Sequence, residues 1–124
     1  MRPANLADTL YALGHWLVEQ ARTDDAAHVY RTLLLTAPDD ERGWLGLAFV
    51  HEARGEDELA DGLYLLAEKA VPTSFRAALA RARLRRRVDA GDGIDEAFER
   101  AIDLARSAGE EDAAASIRQE WSGA

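Results

Sequence analysis

The chain has 124 residues, of which 48% are hydrophobic and none is cysteine, so it can form a packed core but no disulfide, thiolate metal site or cysteine nucleophile. The formal net charge of -8 argues against non-specific binding to nucleic acid, which requires a basic surface. No apolar run approaches the roughly 18 residues of a membrane span, and the amino terminus lacks a secretory signal, so we expect a cytoplasmic protein without membrane insertion.

Seven helices are predicted in chain order from apolar side chains at helical spacing and from the turn residues between them. The first covers about residues 6–21, and the apolar side that defines it consists of Leu6, Leu10, Leu13, Leu17 and Gln20. The second follows a turn at residues 22–24, has Thr23 or Asp24 as its N-cap and ends before Pro38. The others are predicted at residues 41–53, 57–70, 75–88, 94–107 and 110–121. We therefore predict an all-α protein.

Residues 10–72 carry one pattern written twice at a spacing of 34 residues. The first copy consists of Leu10, Leu13, Gly14, Leu17, Ala26, Tyr30, Leu33 and Pro38. The second copy consists of Trp44, Leu47, Ala48, His51, Ala60, Tyr64, Ala67 and Pro72. This register is that of the tetratricopeptide repeat, in which small residues such as Gly14 and Ala26 let two helices approach closely. Aromatic residues at these positions are normally core, so we place Tyr30, Trp44 and Tyr64 there, with Trp44 packed between its own hairpin and the next.

After Pro72 the pattern weakens. Ala97 comes three residues later than a spacing of 34 predicts, which indicates an insertion in the turn at residues 90–93. The predicted architecture is a right-handed superhelix of three helical hairpins plus a C-terminal capping helix, all in one domain of residues 1–124. Its units are residues 7–40, 41–74, a degenerate third repeat at 75–109 and the capping helix at 110–122.

The first helix of each such repeat lines the concave side of the array, and four of its positions point into the groove. Counting from Ala7, Glu41 and Phe75 gives three sets of groove positions: Asp8, Tyr11, His15 and Val18; Arg42, Leu45, Phe49 and Glu52; Arg76, Leu79, Arg83 and Arg86. The candidate peptide-binding residues are Asp8, Tyr11, His15, Leu45, Phe49, Glu52, Arg76, Leu79, Arg83 and Arg86. This set suits a short peptide with apolar anchors and an acidic flank, because arginine forks bind carboxylates.

Six arginines and one acidic residue lie within residues 73–90, between two acidic ends of the chain. One interpretation is that they contact a ligand. The alternative is that Arg76, Arg83 and Arg87 form a solvated helix face and pair with acidic residues of the following helix, which are Asp95, Glu96, Glu99 and Asp103.

Residues for catalysis are sparse. The three histidines, His15, His28 and His51, have no spacing that predicts a metal site, and no nucleophile elbow, P-loop or dinucleotide-binding turn occurs. We therefore expect no catalytic residue, no metal, no cofactor and no enzymatic activity.

Residues 6–72 resemble a particular group of repeat proteins and not only the generic repeat. The motifs that carry the resemblance are Leu10-Tyr11-Ala12-Leu13-Gly14 with Ala26 and Tyr30, Asp40-x-Arg42-x-Trp44-Leu45-Gly46-Leu47, and Gly55 with Leu59-Ala60. They are similar to the tetratricopeptide chaperones of type III secretion systems, in particular the LcrH/SycD-like translocator chaperones.

The resemblance implies a small acidic cytoplasmic protein that holds a secreted translocator segment in its concave groove until export. A homodimer is compatible with it, although the chain begins almost directly at the first repeat and lacks the longer amino-terminal helical region through which that family is thought to dimerise. Phe49 stands where the family tends to have a small residue, which implies a narrower groove.

A second hypothesis is a repeat scaffold or assembly adaptor. Its groove would be filled by another subunit or by the chain's own tail, with Ile117 and Trp121 as the plug.

Overall fold

The computed structural model describes residues 5–88 and 91–122, and over these residues the regular structure is entirely α-helical. The helices are α1 (Leu6–Glu19), α2 (Thr23–Thr36), α3 (Glu41–Ala53), α4 (Asp57–Ala70), α5 (Phe75–Arg87), α6 (Ile94–Ser107) and α7 (Glu111–Ser122). The predicted bounds of α3, α4 and α6 are confirmed, and those of α1, α5 and α7 differ by one or two residues at an end.

Consecutive helices pair as three hairpins, and α7 packs on α6. The turns within the first two hairpins are residues 20–22 and 54–56, whereas the third hairpin is joined by residues 88–93. The third turn is therefore longer, as the shifted spacing predicted; Ala90, part of that predicted turn, lies outside the described residues. Gly55 has φ +75°, the left-handed conformation in which a missing Cβ removes a steric penalty.

Tyr30 of α2 is fully buried and lies between α1 and α3. A Cβ added to Gly14 of α1 or to Gly46 of α3 would overlap the Tyr30 ring. The hydroxyl of Tyr30 donates a hydrogen bond to the backbone carbonyl of Tyr11 at 3.4 Å. The repeat position of Gly14 thus requires glycine because an aromatic ring from the partner helix occupies the space of its side chain.

The core consists of three clusters: two join neighbouring hairpins, and the third joins the last hairpin to α7. The first combines residues of α1, α2 and α3: Leu17, Ala26, Ala27, Tyr30, Leu33, Leu47 and Val50. The second combines α3, α4 and α5: Leu45, Ala48, Ala60, Tyr64, Ala67, Ala77 and Leu84. The third combines α5, α6 and α7: Ala78, Ala82, Phe98, Ala101, Ile102, Ala105, Ala114 and Ile117. Trp44 packs against the second cluster, between its own hairpin and α5, as predicted.

One buried charge connects the second hairpin to the third. The carboxylate of Glu68 on α4 is 8% exposed and accepts a hydrogen bond from Arg100 Nε of α6 at 3.0 Å. Arg81 Nη1 of α5 lies 3.6 Å from its other oxygen. Two guanidinium groups therefore compensate the cost of burying this carboxylate.

One prediction about the first hairpin is wrong. Neither Thr23 nor Asp24 is the N-cap of α2, because the helix begins at Thr23 and the capping position is Arg22, which makes no side-chain capping bond. The predicted apolar side of α1 is only partly buried: Leu17 is in the core, but Leu6 and Leu13 are 60% and 41% exposed. The buried face is centred on Gly14, where Tyr30 enters.

Candidate functional site

The first helices of the hairpins, α1, α3 and α5, lie side by side. Asp8 Oδ1 of α1 accepts a hydrogen bond from Arg42 Nη1 of α3 at 2.6 Å, and Arg76 Nη1 of α5 lies 3.6 Å from Glu41 Oε1 of α3. Ion pairs between α5 and α7 continue the row. The surface that these contacts join is here called the groove face, and the groove positions that take part in them are Asp8, Arg42, Arg76, Arg83 and Arg86.

Tyr11, His15 and Phe49 form an aromatic cluster on this face. The Tyr11 and His15 rings meet edge to face with centroids 4.6 Å apart, and the His15 and Phe49 rings lie 4.9 Å apart at 31°. The buried Tyr30 ring lies behind them, 6.0 Å from Tyr11 and 6.2 Å from His15. All three members of the aromatic cluster are partly exposed, so they offer an apolar surface that is already held in place by the core.

Burial changes the acid-base behaviour of this cluster. It lowers the pKa of the His15 imidazole, because the imidazolium loses solvation, although the nearby Glu19 carboxylate acts in the opposite direction. Burial also raises the pKa of the Tyr11 hydroxyl. Both groups are therefore neutral at pH 7, which suits a surface for apolar side chains.

The two predicted leucine anchors do not extend the aromatic cluster. Leu45 is 9% exposed and belongs to the second core cluster, beside Tyr64 and Ala77. Leu79 is partly buried against the third core cluster. Core packing covers Leu45 and partly covers Leu79, and Leu45 retains little surface for a ligand.

Arg42 fixes one edge of the groove face. Asp40 caps α3 by accepting a hydrogen bond from the Arg42 backbone N–H at 3.0 Å, and its carboxylate also accepts from Arg42 Nη2 at 2.7 Å. The Arg42 guanidinium lies 5.6 Å from the Tyr11 ring centroid and reaches Asp8. Its hydrogen bonds hold the pKa of the Asp40 carboxyl below its usual range. Asp8, a predicted ligand contact, is therefore engaged by Arg42.

Arg83 and Arg86 of α5 both bind Glu120 of α7. Arg83 donates from Nε at 2.9 Å and from Nη2 at 2.6 Å, and Arg86 Nη2 lies 3.2 Å from the second carboxylate oxygen. The Arg86 guanidinium also lies 4.9 Å from the Phe98 ring centroid. The hydrogen bonds from Arg83 hold the pKa of the Glu120 carboxyl below its usual value. Two cations and one anion meet at this end of the groove face.

The alternative prediction for Arg76, Arg83 and Arg87 is correct in that their side chains are largely solvated and paired within the chain, but the predicted partners on α6 are wrong. Arg76 pairs with Glu41, Arg83 pairs with Glu120, and Arg87 Nη2 donates to Asp57 at 2.8 Å. This face of α5 turns toward α3, α4 and α7, while Asp95, Glu96, Glu99 and Asp103 of α6 are exposed.

A cavity of about 500 Å³ opens beside the arginines. Its lining consists of Glu52, Tyr64, Ala80, Arg83, Leu84, Arg86 and Arg87. Burial raises the pKa of the Glu52 carboxyl and that of the Tyr64 hydroxyl. Sequence reasoning identified Glu52, Arg83 and Arg86 here but missed Glu120; Tyr64 is a core residue, as predicted, and also lines the cavity. Counting the groove positions from Glu111 gives positions 112, 115, 119 and 122, so the register of α7 does not mark Glu120.

The predicted plug of the groove is not formed. Ile117 is buried in the third core cluster, and the Trp121 ring stacks on Phe98 of α6 at 6.2 Å and 5°. Trp121 Nε1 also donates to Asp95 at 3.1 Å. Both side chains cover α6 and leave the aromatic cluster open, which is the arrangement of a capping helix.

Across residues 5–88 and 91–122, no three histidine or acidic side chains group as metal ligands. Within the same ranges, no helix has both the length and the apolar character of a membrane span.

Neither a protein-family model nor a curated protein sequence matches this chain. Several solved structures do match this chain. The type III secretion translocator chaperone SycD of Yersinia enterocolitica has a TM-score of 0.79 at 18% identity, covering 95% of this chain and 89% of SycD. PcrH, a protein of Pseudomonas aeruginosa, in complex with the chaperone binding region of PopB has a TM-score of 0.70 at 23% identity, covering 94% and 99%.

A third match is the TPR2B domain of yeast Sti1 in its complex with an Hsp70 peptide, with a TM-score of 0.77 at 19% identity over 92% of this chain and 91% of that one. The predicted tetratricopeptide-type fold is confirmed. The resemblance to the type III secretion chaperones is confirmed at the level of the fold.

Proposed function

We propose that this chain is a non-enzymatic, cytoplasmic chaperone that holds a segment of a secreted translocator, or of another type III secretion component, on its groove face. The fold supports this, since SycD is a translocator chaperone and PcrH binds the chaperone binding regions of PopB and PopD. The observation that carries the proposal is the aromatic cluster of Tyr11, His15 and Phe49, which is rigidly backed by Tyr30 and yet partly exposed.

The aromatic cluster would take the apolar anchors of the bound segment. Partly exposed aromatic rings that are held by packing lose little conformational freedom on binding, which makes them effective contact residues. The arginines at the other end of the groove face would take polar or acidic groups of the same segment. The distance between these two regions, from α1 to α5, favours an extended or helical peptide over a single small molecule.

Co-expression with the translocators encoded in the same gene cluster, followed by pull-down, tests this function. Wild-type protein is expected to co-purify with a translocator and to raise its solubility. Phe49→Ala is expected to weaken the complex by about ten-fold or more, the effect of losing a central aromatic contact. Leu35→Ala is the matched control, because Leu35 is 81% exposed on α2, away from the groove face. If no translocator co-purifies and its solubility is unchanged, the proposed function is wrong.

The second candidate, an assembly adaptor, is favoured by one observation. Leu6, Leu13 and Trp16 of α1 are 60%, 41% and 50% exposed and lie on the same side of the helix. Such a stripe suits contact with another subunit or with a second copy of this chain, and one SycD structure is described as an alternative dimer. Sedimentation of wild type and Trp16→Glu tests this: a dimer that becomes a monomer assigns the stripe to self-association, and a wild-type monomer at high concentration rules out a homodimer.

A further inference from the structure

Arg83 and Arg86 together form a binding site for one carboxylate, called the receptor below. They are three residues apart on α5, so their side chains leave the same side of the helix. Arg83 approaches the Glu120 carboxylate with two nitrogens and Arg86 with a third. This is the arrangement in which arginine binds carboxylates most specifically. In the structure, the carboxylate belongs to the chain itself.

Glu120 is not what holds α7 in place. The helix is anchored by Ala114 and Ile117, which are 2% and 3% exposed in the third core cluster, and by Trp121 on Phe98. The Glu120 side chain can therefore move away while the helix stays docked. Its contact also remains open to solvent, since the side chains of Arg83 and Glu120 are 53% and 26% exposed. By comparison, the Glu68 side chain is 8% exposed between two arginines, so its ion pairs are buried whereas the Glu120 contact is open to solvent.

The receptor belongs to the groove face. Arg83 and Arg86 line the cavity of about 500 Å³ together with Glu52 and Tyr64, which connects them to α3 and α4. On the wall of this cavity, Arg87 is directed to Asp57 and lies 3.9 Å from Glu52. Glu120 reaches Arg83 and Arg86 from α7, at the carboxyl end of the chain.

We propose that Glu120 is an intramolecular competitor that occupies a carboxylate site of the groove, and that an aspartate or glutamate side chain of the bound segment displaces it. The inference rests on the proposed peptide-binding function and adds to it one required chemical group of the ligand. A side chain is the source, because a side-chain carboxylate on a continuing helix already occupies the site. Occupancy by Glu120 lowers the apparent affinity for the incoming carboxylate by the fraction of molecules in which the site is closed.

Nuclear magnetic resonance of the Arg83 and Arg86 Nε–H groups tests the site directly at low ionic strength. The probe is the α-amide of N-acetylglutamate, which carries only a side-chain carboxylate. A partly exposed ion pair closes such a site with an equilibrium constant of about one to five, so Glu120→Gln is expected to lower the dissociation constant of the probe about two- to six-fold. In Arg83→Gln, the further change Glu120→Gln is expected to give a smaller gain, because only the contact of Glu120 with Arg86 remains to be released.

Three controls decide the interpretation. Glu111→Gln changes an exposed carboxylate in the first turn of the same helix and should leave the constant unchanged. The α-amide of N-acetylglutamine should produce no shift, and N-acetylglycine, which carries only a terminal carboxylate, should bind more weakly than the glutamate probe. The Trp121 indole N–H signal reports whether α7 stays docked in Glu120→Gln. If this signal moves, the shorter side chain of Glu120→Asp should still give a dissociation constant between those of wild type and Glu120→Gln.

Equal constants in wild type and Glu120→Gln, or an equal gain in Glu111→Gln, would overturn the proposal. Stronger binding of N-acetylglycine than of the glutamate probe would assign the site to a chain terminus and also overturn it. These small probes lack any apolar anchor, so the result is independent of whether a translocator binds the aromatic cluster.

Discussion

Tyr30 determines how closely the first three helices approach, because its ring occupies the space that side chains at Gly14 and Gly46 would fill. The sequence identified Gly14 through the repeat pattern, but nothing in that pattern marked Gly46. At Gly46 the glycine is required by a contact between successive repeats, and such a contact depends on the stacking angle that only the folded array defines.

Gly46→Ala is therefore expected to destabilise the protein by about 1–3 kcal/mol, since a Cβ at this position must push the Tyr30 ring or α3 aside. Thermal or urea denaturation measures the effect. Gly62→Ala is the matched control in α4, where an added Cβ meets no atom within 4 Å. This control should stabilise the protein by about 1 kcal/mol through helix propensity. Equal effects of the two substitutions would contradict the role assigned to Tyr30.

His15 makes ligand binding and stability depend on pH. Its pKa is lowered in the folded protein, chiefly by burial, so the unfolded chain takes up a proton more readily. The contribution of His15 to the free energy of unfolding is fully present above the pKa of about 6.5 in the unfolded chain. It is lost as the pH falls through the lower pKa of the folded protein. A ligand that covers His15 adds to this burial and should bind more weakly at about pH 5.5 than at about pH 7.5.

Comparing wild type with His15→Gln at both pH values isolates the effect from that of the carboxylates. The variant is expected to lose part of the pH dependence of binding. Equal wild-type affinity at the two pH values would remove His15 from the binding surface.

At the scale of the helices, the turn between α1 and α2 differs from the equivalent turn of the second repeat, between α3 and α4. Ala21 has φ +59°, a left-handed conformation that costs an L-residue about 1–2 kcal/mol, whereas Gly55 stands 34 residues later at φ +75°. Ala21→Gly is expected to raise the free energy of unfolding by up to about 1 kcal/mol, because the greater freedom of glycine in the unfolded chain offsets part of the relief. Denaturation would show this, and Gly55→Ala should give the opposite sign.

The Glu68 bridge connects α4, α5 and α6. Glu68→Ala removes a buried carboxylate that accepts a hydrogen bond from Arg100 and forms an ion pair with Arg81, and it is expected to lower the free energy of unfolding by about 1–3 kcal/mol. Glu99→Ala changes an exposed residue of α6 and should stay within about 0.5 kcal/mol. A neutral result for Glu68→Ala would mean that the two arginines regain their hydration without loss.

Sequence reasoning identified the helices well because their signals are local. Pro38 and Pro72 end helices, Gly55 sets a turn, and the 34-residue spacing fixes which residues face the partner helix. The residues of the aromatic cluster followed from the same register. The partners of the arginines did not follow, because an ion pair depends on how α5 is rotated against α3 and α7, and several acidic residues were equally close in sequence.

On the scale of the whole molecule, two core clusters span the boundaries between hairpins and the third spans the boundary between the last hairpin and α7, so each unit depends on its neighbour. Deletion of residues 110–124 removes Ala114 and Ile117 from the third core cluster and exposes Phe98 and Ile102. We expect it to lower stability by at least about 3 kcal/mol, and to expose apolar surface that binds a hydrophobic dye. A folded, equally stable truncated protein that binds peptide more tightly would show instead that α7 blocks the groove.

The stacking of Trp121 on Phe98 also provides an optical signal. Each of α1, α3 and α7 carries one tryptophan, and Trp16 and Trp44 can be replaced by phenylalanine, leaving Trp121 as the sole emitter. In that protein a red shift of the fluorescence would report the exposure of Trp121 when the last helix leaves the array. Rapid mixing with a ligand would then reveal whether the end of the chain must open before the groove is filled.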